Sequence, residues 1–189
     1  SIAGFDKWKS EEPIVSDEFL SDVDRVEQPE LQVKMLEKLL RNEISTRKQQ
    51  NLAKYESFEE ELEETINEYN EGFLSTQQVI DELRDYADRI QETDDRQGEL
   101  GLSNEEYAFY SAISSNTDTE INEETLKTIA RELKQNLKDS VELDWTNREK
   151  IRAEIKTEVK AVLRSNGLSL YKHENLVDPI VSQAEAFYG

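Results

Sequence analysis

The sequence contains no cysteine, one histidine (His173), 3 prolines and 6 glycines among 189 residues. Without cysteine there is no disulfide and no thiolate zinc site, a usage that fits a cytoplasmic protein. A single histidine leaves few nitrogen ligands for a transition metal. A ferritin-type di-metal site needs Glu-x-x-His on bundle helices, and the residue three before His173 is Leu170. Neither calcium-loop spacing nor a phosphate-binding loop is present: Gly98-Glu99-Leu100-Gly101 lacks both the length and the following lysine. No serine stands in a Gly-x-Ser-x-Gly setting. The acid runs Asp94-Asp95 and Glu59-Glu60-Glu61 read as solvated charge. No catalytic, cofactor-binding or metal residue is therefore assigned, and the chain reads as non-catalytic. No apolar run approaches the roughly 20 residues needed to span a bilayer, and no signal peptide is evident, so no membrane partner is expected.

What the chain has in quantity is acid. There are 43 Asp and Glu against 23 Lys and Arg, a net charge of −20. The imbalance is concentrated in residues 51–100, with 16 acids and 4 bases, whereas residues 151–189 hold 5 of each. Such a surface repels phosphate backbones, so direct nucleic-acid binding is not expected. With 35% hydrophobic and 35% charged residues, and with Gly and Pro scarce, the composition predicts long helices around a thin core. The first residue is Ser1 rather than Met, as in a processed or excised piece of a longer protein.

Residues 1–27 read as a linker or docking arm. Phe5 and Trp8 either pack back on the first helix or contact a neighbouring domain, and a short helix runs over 16–26. Pro29 suits the first position of a long helix, because its missing N–H would be unpaired there anyway. That helix carries Leu31, Met35, Leu39 and Leu36, Leu40, Ile44 to about Gln50. The polar segment after Leu40, residues 41–55, is a fraying end or an exposed connection. Capping boxes at Ser57/Glu60, Ser75/Gln78 and Ser103/Glu106 mark three further helix starts. The first two open apolar stripes joined by a short turn at Gly72, the pattern of an antiparallel hairpin. Tyr107, Phe109, Tyr110 and Ile113 give the third an aromatic side. The segment 114–120 is a loop containing neither Gly nor Pro. A clean amphipathic helix then runs from about Asn122 through Leu126, Ile129, Leu133 and Leu137, and a final helix starts near Leu176. His173 falls in a loop.

The stretch 144–164 stands apart. A capping box at Thr146/Glu149 precedes an apolar face of Ile151, Ile155, Val159 and Val162. Beside that face runs a cation every four residues: Arg148, Arg152, Lys156, Lys160 and Arg164. The stripe serves acidic helices, either within the molecule or on another protein. Trp145, just ahead of it, caps the local core or anchors an interface, where Trp and Arg dominate. Together these six residues form the candidate protein interface.

Leu100-Gly101-Leu102-Ser103 followed by Glu105-Glu106 and Phe109-Tyr110 resembles the opening of the C-terminal region of the restriction (R, motor) subunit of type I restriction–modification enzymes. The similarity continues at Ile129-Ala130-Arg131-Glu132-Leu133, at Asp144-Trp145, at Arg148 and Arg152-Ala153, and ends near Gln183-Ala184. Upstream, Glu68-Tyr69-Asn70-Glu71-Gly72 resembles the segment that precedes it. The resemblance covers about residues 28–187. It implies that the nuclease and helicase-like motor domains, with their ATP and Mg, lie outside this chain. It further implies that the chain docks the motor subunit onto the methyltransferase (M) core and packs on the parent's own helicase domains. The short polar loop 114–121 departs from the family and puts any partner contact made there in question. Trp145→Ala or Arg152→Glu would then abolish binding to the core. The alternative reading is an acidic DNA mimic or inhibitor, which requires acids spaced like phosphates on one surface.

The expected fold is therefore all-α: an elongated bundle of about six to eight helices behind an irregular N-terminal arm. The expected domains are an arm over 1–27, a helical hairpin region over 28–98 and a C-terminal helical domain over 99–189.

Overall fold

A computed structural model of the protein describes residues 17–139 and 147–189. Within them the secondary structure is helical throughout, with no strand. In chain order the helices are α1 (Asp17–Asp24), α2 (Pro29–Arg47), α3 (Leu52–Asn70), α4 (Thr76–Leu100), α5 (Asn104–Ser114), α6 (Glu123–Lys138), α7 (Arg148–Ser165), the single turn α8 (Leu170–His173) and α9 (Val177–Tyr188). The expected all-α architecture is the one observed. The N-terminal arm as far as residue 16, and residues 140–146 with Trp145 and Thr146, lie outside the described residues.

The described chain divides into two compact units: residues 17–46 with 58–94, and residues 47–57 with 95–139 and 147–189. Helices α2, α3 and α4 contribute residues to both.

In the first unit Pro29 does open α2, and the chain before it is tied down by the Gln32 carboxamide, which donates to the Val26 carbonyl at 2.6 Å. The α2 core face is Val33, Leu36, Leu40 and Ile44, whereas Leu31, expected on the apolar side, is 43% exposed. The α3–α4 pair is an antiparallel hairpin. Tyr69 meets Thr76 at 3.5 Å, Thr65 meets Tyr86 at 2.9 Å, and Glu61 meets Arg89 at 2.6 Å, so partners climb one helix as they descend the other. The turn between them ends α3 at Gly72, whose φ of 84° a side chain with a Cβ adopts only at a cost. There the N–H groups of Gly72 and Phe73 reach back to the carbonyls of Tyr69 (3.1 Å) and Glu68 (2.9 Å), satisfying carbonyls that the helix end leaves unpaired.

The Ser75/Gln78 box forms as its spacing predicts: the Gln78 N–H donates to Ser75 Oγ (3.1 Å) and the Ser75 N–H to Gln78 Oε1 (2.8 Å). The Ser57/Glu60 start is corrected. Ser57 lies inside α3, which begins at Leu52 because Asn51 Oδ1 accepts the Lys54 N–H at 3.3 Å and serves as the cap. The polar segment 41–55 is thus no frayed end: residues 41–47 complete α2 and 52–55 open α3. Between them lies a short connection, the 3-10 turn Lys48–Gln50, exposed at Gln49 and Gln50.

In the second unit α5 packs on α6 and α9, and α7 packs on the same two helices. The helical spacing of each apolar stripe brings Phe109 and Ile113, Ile129 and Leu133, Ile155 and Val159, and Ile180 and Val181 into one core. Each fully buried side chain of this size contributes about 1.5–3 kcal/mol of transfer free energy. Phe187 meets Phe109 edge-on at 5.8 Å between ring centroids and closes one side.

Candidate protein interface

Helix α7 is built as its apolar spacing requires. Ile151, Ile155, Val159 and Val162 are all buried. Its cap is Asn147, whose carboxamide oxygen accepts the Lys150 N–H at 3.2 Å. At its other end Gly167 (φ 81°) donates its N–H to the Arg164 carbonyl at 3.0 Å and stops the helix at the Asn-Gly pair.

The cations follow the buried face one residue behind, and the structure sorts them. Arg152 pairs with Glu185, and Lys156 with Asp178 at 3.3 Å, both acids on α9. Those two fasten α7 to α9 within the chain. Arg148, Lys160 and Arg164 have no acidic partner among the described residues. Arg148 and Arg164 are exposed and Lys160 is partly so. Trp145 lies outside the described residues. Beyond Gly167, α8 packs against α7. It holds Leu170 against the core and leaves Tyr171 96% exposed, with Lys172 exposed beside it. His173 closes α8 rather than sitting in a loop. Its Nδ1 bonds the Ser169 carbonyl at 3.0 Å and its Nε2 meets Thr119 Oγ1 at 3.0 Å. In the neutral ring Nδ1 then carries the proton and Nε2 accepts.

Sequence reasoning missed a buried polar cluster. The Gln183 carboxamide, 1% exposed, accepts the Leu52 N–H at 2.8 Å and donates to the Gln49 carbonyl at 3.0 Å. Asn51 Nδ2 donates to Ser111 Oγ at 3.0 Å. These side chains pin the break between α2 and α3 onto α5 and α9. One signal was available: Gln183 stands on the α9 stripe between Ile180 and Phe187, at a register where apolar residues belong. Among the described residues no three His, Asp or Glu side chains gather as a metal site. No described helix is long and apolar enough to cross a membrane.

Residues 3–189 match the family described as type I restriction enzyme HindI endonuclease subunit-like, C-terminal. The chain belongs to that family. It is 32% identical over 186 residues to the type I restriction enzyme HindI endonuclease subunit of Haemophilus influenzae, an alignment covering 96% of this chain and 18% of that protein. It is 30% identical over 193 residues to the putative type I restriction enzyme MjaIXP endonuclease subunit of Methanocaldococcus jannaschii, covering 97% of this chain and 18% of that protein. The chain thus spans less than a fifth of the length of these relatives. No solved structure matches it significantly.

Within this C-terminal family, the Leu-Gly-Leu-Ser segment that carried the resemblance is a helix junction. Gly101 (φ 66°) ends α4, and Leu100 and Leu102 are buried against Tyr107. Ser103 opens α5 with a capping box: its Oγ accepts the Glu106 N–H at 3.3 Å and its N–H donates to Glu106 Oε1 at 2.8 Å. Burial alone would raise the Glu106 carboxyl. The Ser103 hydrogen bonds, with Lys134 and Arg131 nearby, outweigh it and hold Glu106 below the ordinary glutamate value.

Proposed function

We propose that this C-terminal region is a docking module, which attaches the endonuclease subunit of a type I restriction enzyme to the methyltransferase core of the same system. In this reading ATP hydrolysis, translocation and DNA cleavage belong to the parts of the subunit that precede it. The module makes and breaks no bonds itself. Family membership supports the setting. The observation that carries the docking role is the division of labour on α7. Arg152 and Lys156 secure the helix to α9, whereas Lys160 and Arg164 are held out from a fixed helix without an acidic partner among the described residues. Arginine on a rigid element is well suited to pairing with a partner's carboxylates.

The experiment is direct binding. The purified chain is titrated onto the isolated cognate methyltransferase core, and complex formation is followed by sedimentation velocity. A saturable complex of defined stoichiometry is expected. A chain that sediments alone at every concentration of a functional core refutes the proposal.

A further inference from the structure

The chain has almost two acids for every base, although 17 to 15 within the second unit, and most of its described arginines meet a carboxylate. Along the first unit they do: Arg41 bonds Glu37 and Glu63, Arg84 bonds Asp24, and Arg89 bonds Glu61. In the second unit Arg96 meets Glu123 at 2.8 Å and Arg131 meets Glu106 at 3.9 Å. Arg164 does not. The α6 carboxylate of Glu132 instead accepts from the Asn166 carboxamide at 2.9 Å. Arg164 stands in the last turn of α7, where the carbonyl end of the helix favours a cation. That accounts for a positive charge there. It does not account for Lys160 one turn earlier, for Lys172, or for an exposed tyrosine in a turn fastened on both sides. Leu170 anchors that turn in the core and His173 bonds it to Thr119 and Ser169. Tyr171 is therefore presented from a braced support, which reduces the ordering cost of binding.

We infer that Lys160, Arg164, Tyr171 and Lys172, at the C-terminal end of α7 and on α8, form the face that grips an acidic protein surface, with Tyr171 as its anchor. The inference rests on the docking role proposed above and assigns it a location and a partner chemistry. Charge complementarity selects the occupant. These cations meet discrete carboxylates on a folded partner. A nucleic acid would bring a dense line of phosphates against a chain carrying −20. Tyrosine and arginine are among the residue types that dominate protein hot spots. Arg152 and Lys156, earlier on α7, have a different role, because α9 already engages them.

The test measures the affinity of the full chain for the cognate methyltransferase core at several salt concentrations. The proteins compared are the parent, Lys160→Glu/Arg164→Glu, Tyr171→Ala, and Arg25→Glu as a surface control in the first unit. All the substituted side chains are exposed or partly exposed, and unchanged circular dichroism and Tm confirm folding. If the double reversal lowers Tm, Lys160→Gln/Arg164→Gln replaces it. The inference expects about a tenfold or greater loss of affinity for the double variant and for Tyr171→Ala. It also expects a shallower salt dependence for the double variant and parental binding for Arg25→Glu. Parental affinity in both α7–α8 variants, with the parent itself binding, overturns this face and leaves the docking role standing. No binding by the parent overturns the docking role itself. A duplex DNA that binds the parent and is lost in the double variant overturns the protein occupant.

Discussion

The two units differ most in how they handle charge. The first holds 21 acids and 6 bases, a balance of −15; the second holds 17 acids and 15 bases, a balance of −2. The arginines of the acidic unit are drawn into its own carboxylates, whereas in the nearly neutral unit Arg164 has no acidic partner among the described residues. Abundance of acid nearby accounts for the first outcome, and the near balance of charge in the second unit leaves a cation without a partner there. The first unit recruits its few arginines to cross-link helices that repel one another. Arg89 shows how: it bonds Glu61 and lies over the rings of Phe58 and Tyr86, at 5.2 and 5.4 Å from their centroids. The second unit is held by apolar burial and a few enclosed polar contacts, which frees cations for its surface.

The largest effect expected from this contrast is Phe109→Ala, which empties the centre of the second core. It should cost about 3–5 kcal/mol of stability in a denaturant titration. A loss as small as that of a surface substitution breaks the claim that apolar burial dominates there. Next comes Gln183→Ala. It removes the partner of the Leu52 N–H and of the Gln49 carbonyl at a part-buried corner, at about 0.5–1.5 kcal/mol for each hydrogen bond lost. Hydrogen exchange should report this first as lost protection at the start of α3.

In the first unit Arg89→Ala should cost about 1 kcal/mol, because its ion pair and ring contacts are partly open to solvent. Arg164→Ala in the second unit should shift stability by less than about 0.5 kcal/mol. Equal losses for the two would erase the contrast. Added salt sharpens it in another way. Screening relieves repulsion, so protection in α3 and α4 should rise from low to moderate ionic strength more than protection in α6 and α9.

The smallest effect concerns Glu106. Its carboxyl is held below the ordinary value of 4.5 in the folded chain. It therefore contributes stability that is fully present above that pH and is lost as the pH falls through the lower, folded value. Glu106→Gln keeps a capping partner for Ser103 and should flatten the acid end of the stability profile. An unchanged profile removes Glu106 as a contributor.

Much of the fold is readable from side-chain spacing. Periodicity locates α6 and α7 because their apolar stripes are uninterrupted, and α9 despite Gln183 within its stripe; Ser75 and Ser103 cap as their Gln and Glu partners imply. The start of α3 is misplaced by the same reasoning for a physical reason. Asn51 is held by a serine 60 positions away, and Gln183 serves the same break from 131 positions away, so no local window contains the partners that fix that corner. Likewise, the cation stripe on α7 is visible as a stripe. Which of its members are consumed by Glu185 and Asp178 depends on how α9 returns across α7.

The docking account is tested most directly by competition in the complete enzyme. The purified chain is added in growing excess to the assembled restriction–modification complex, and DNA cleavage and DNA methylation are followed together. Displacement of the endonuclease subunit predicts that cleavage falls with dose while methylation continues unchanged. Cleavage that persists undiminished at saturating excess of folded chain contradicts the account.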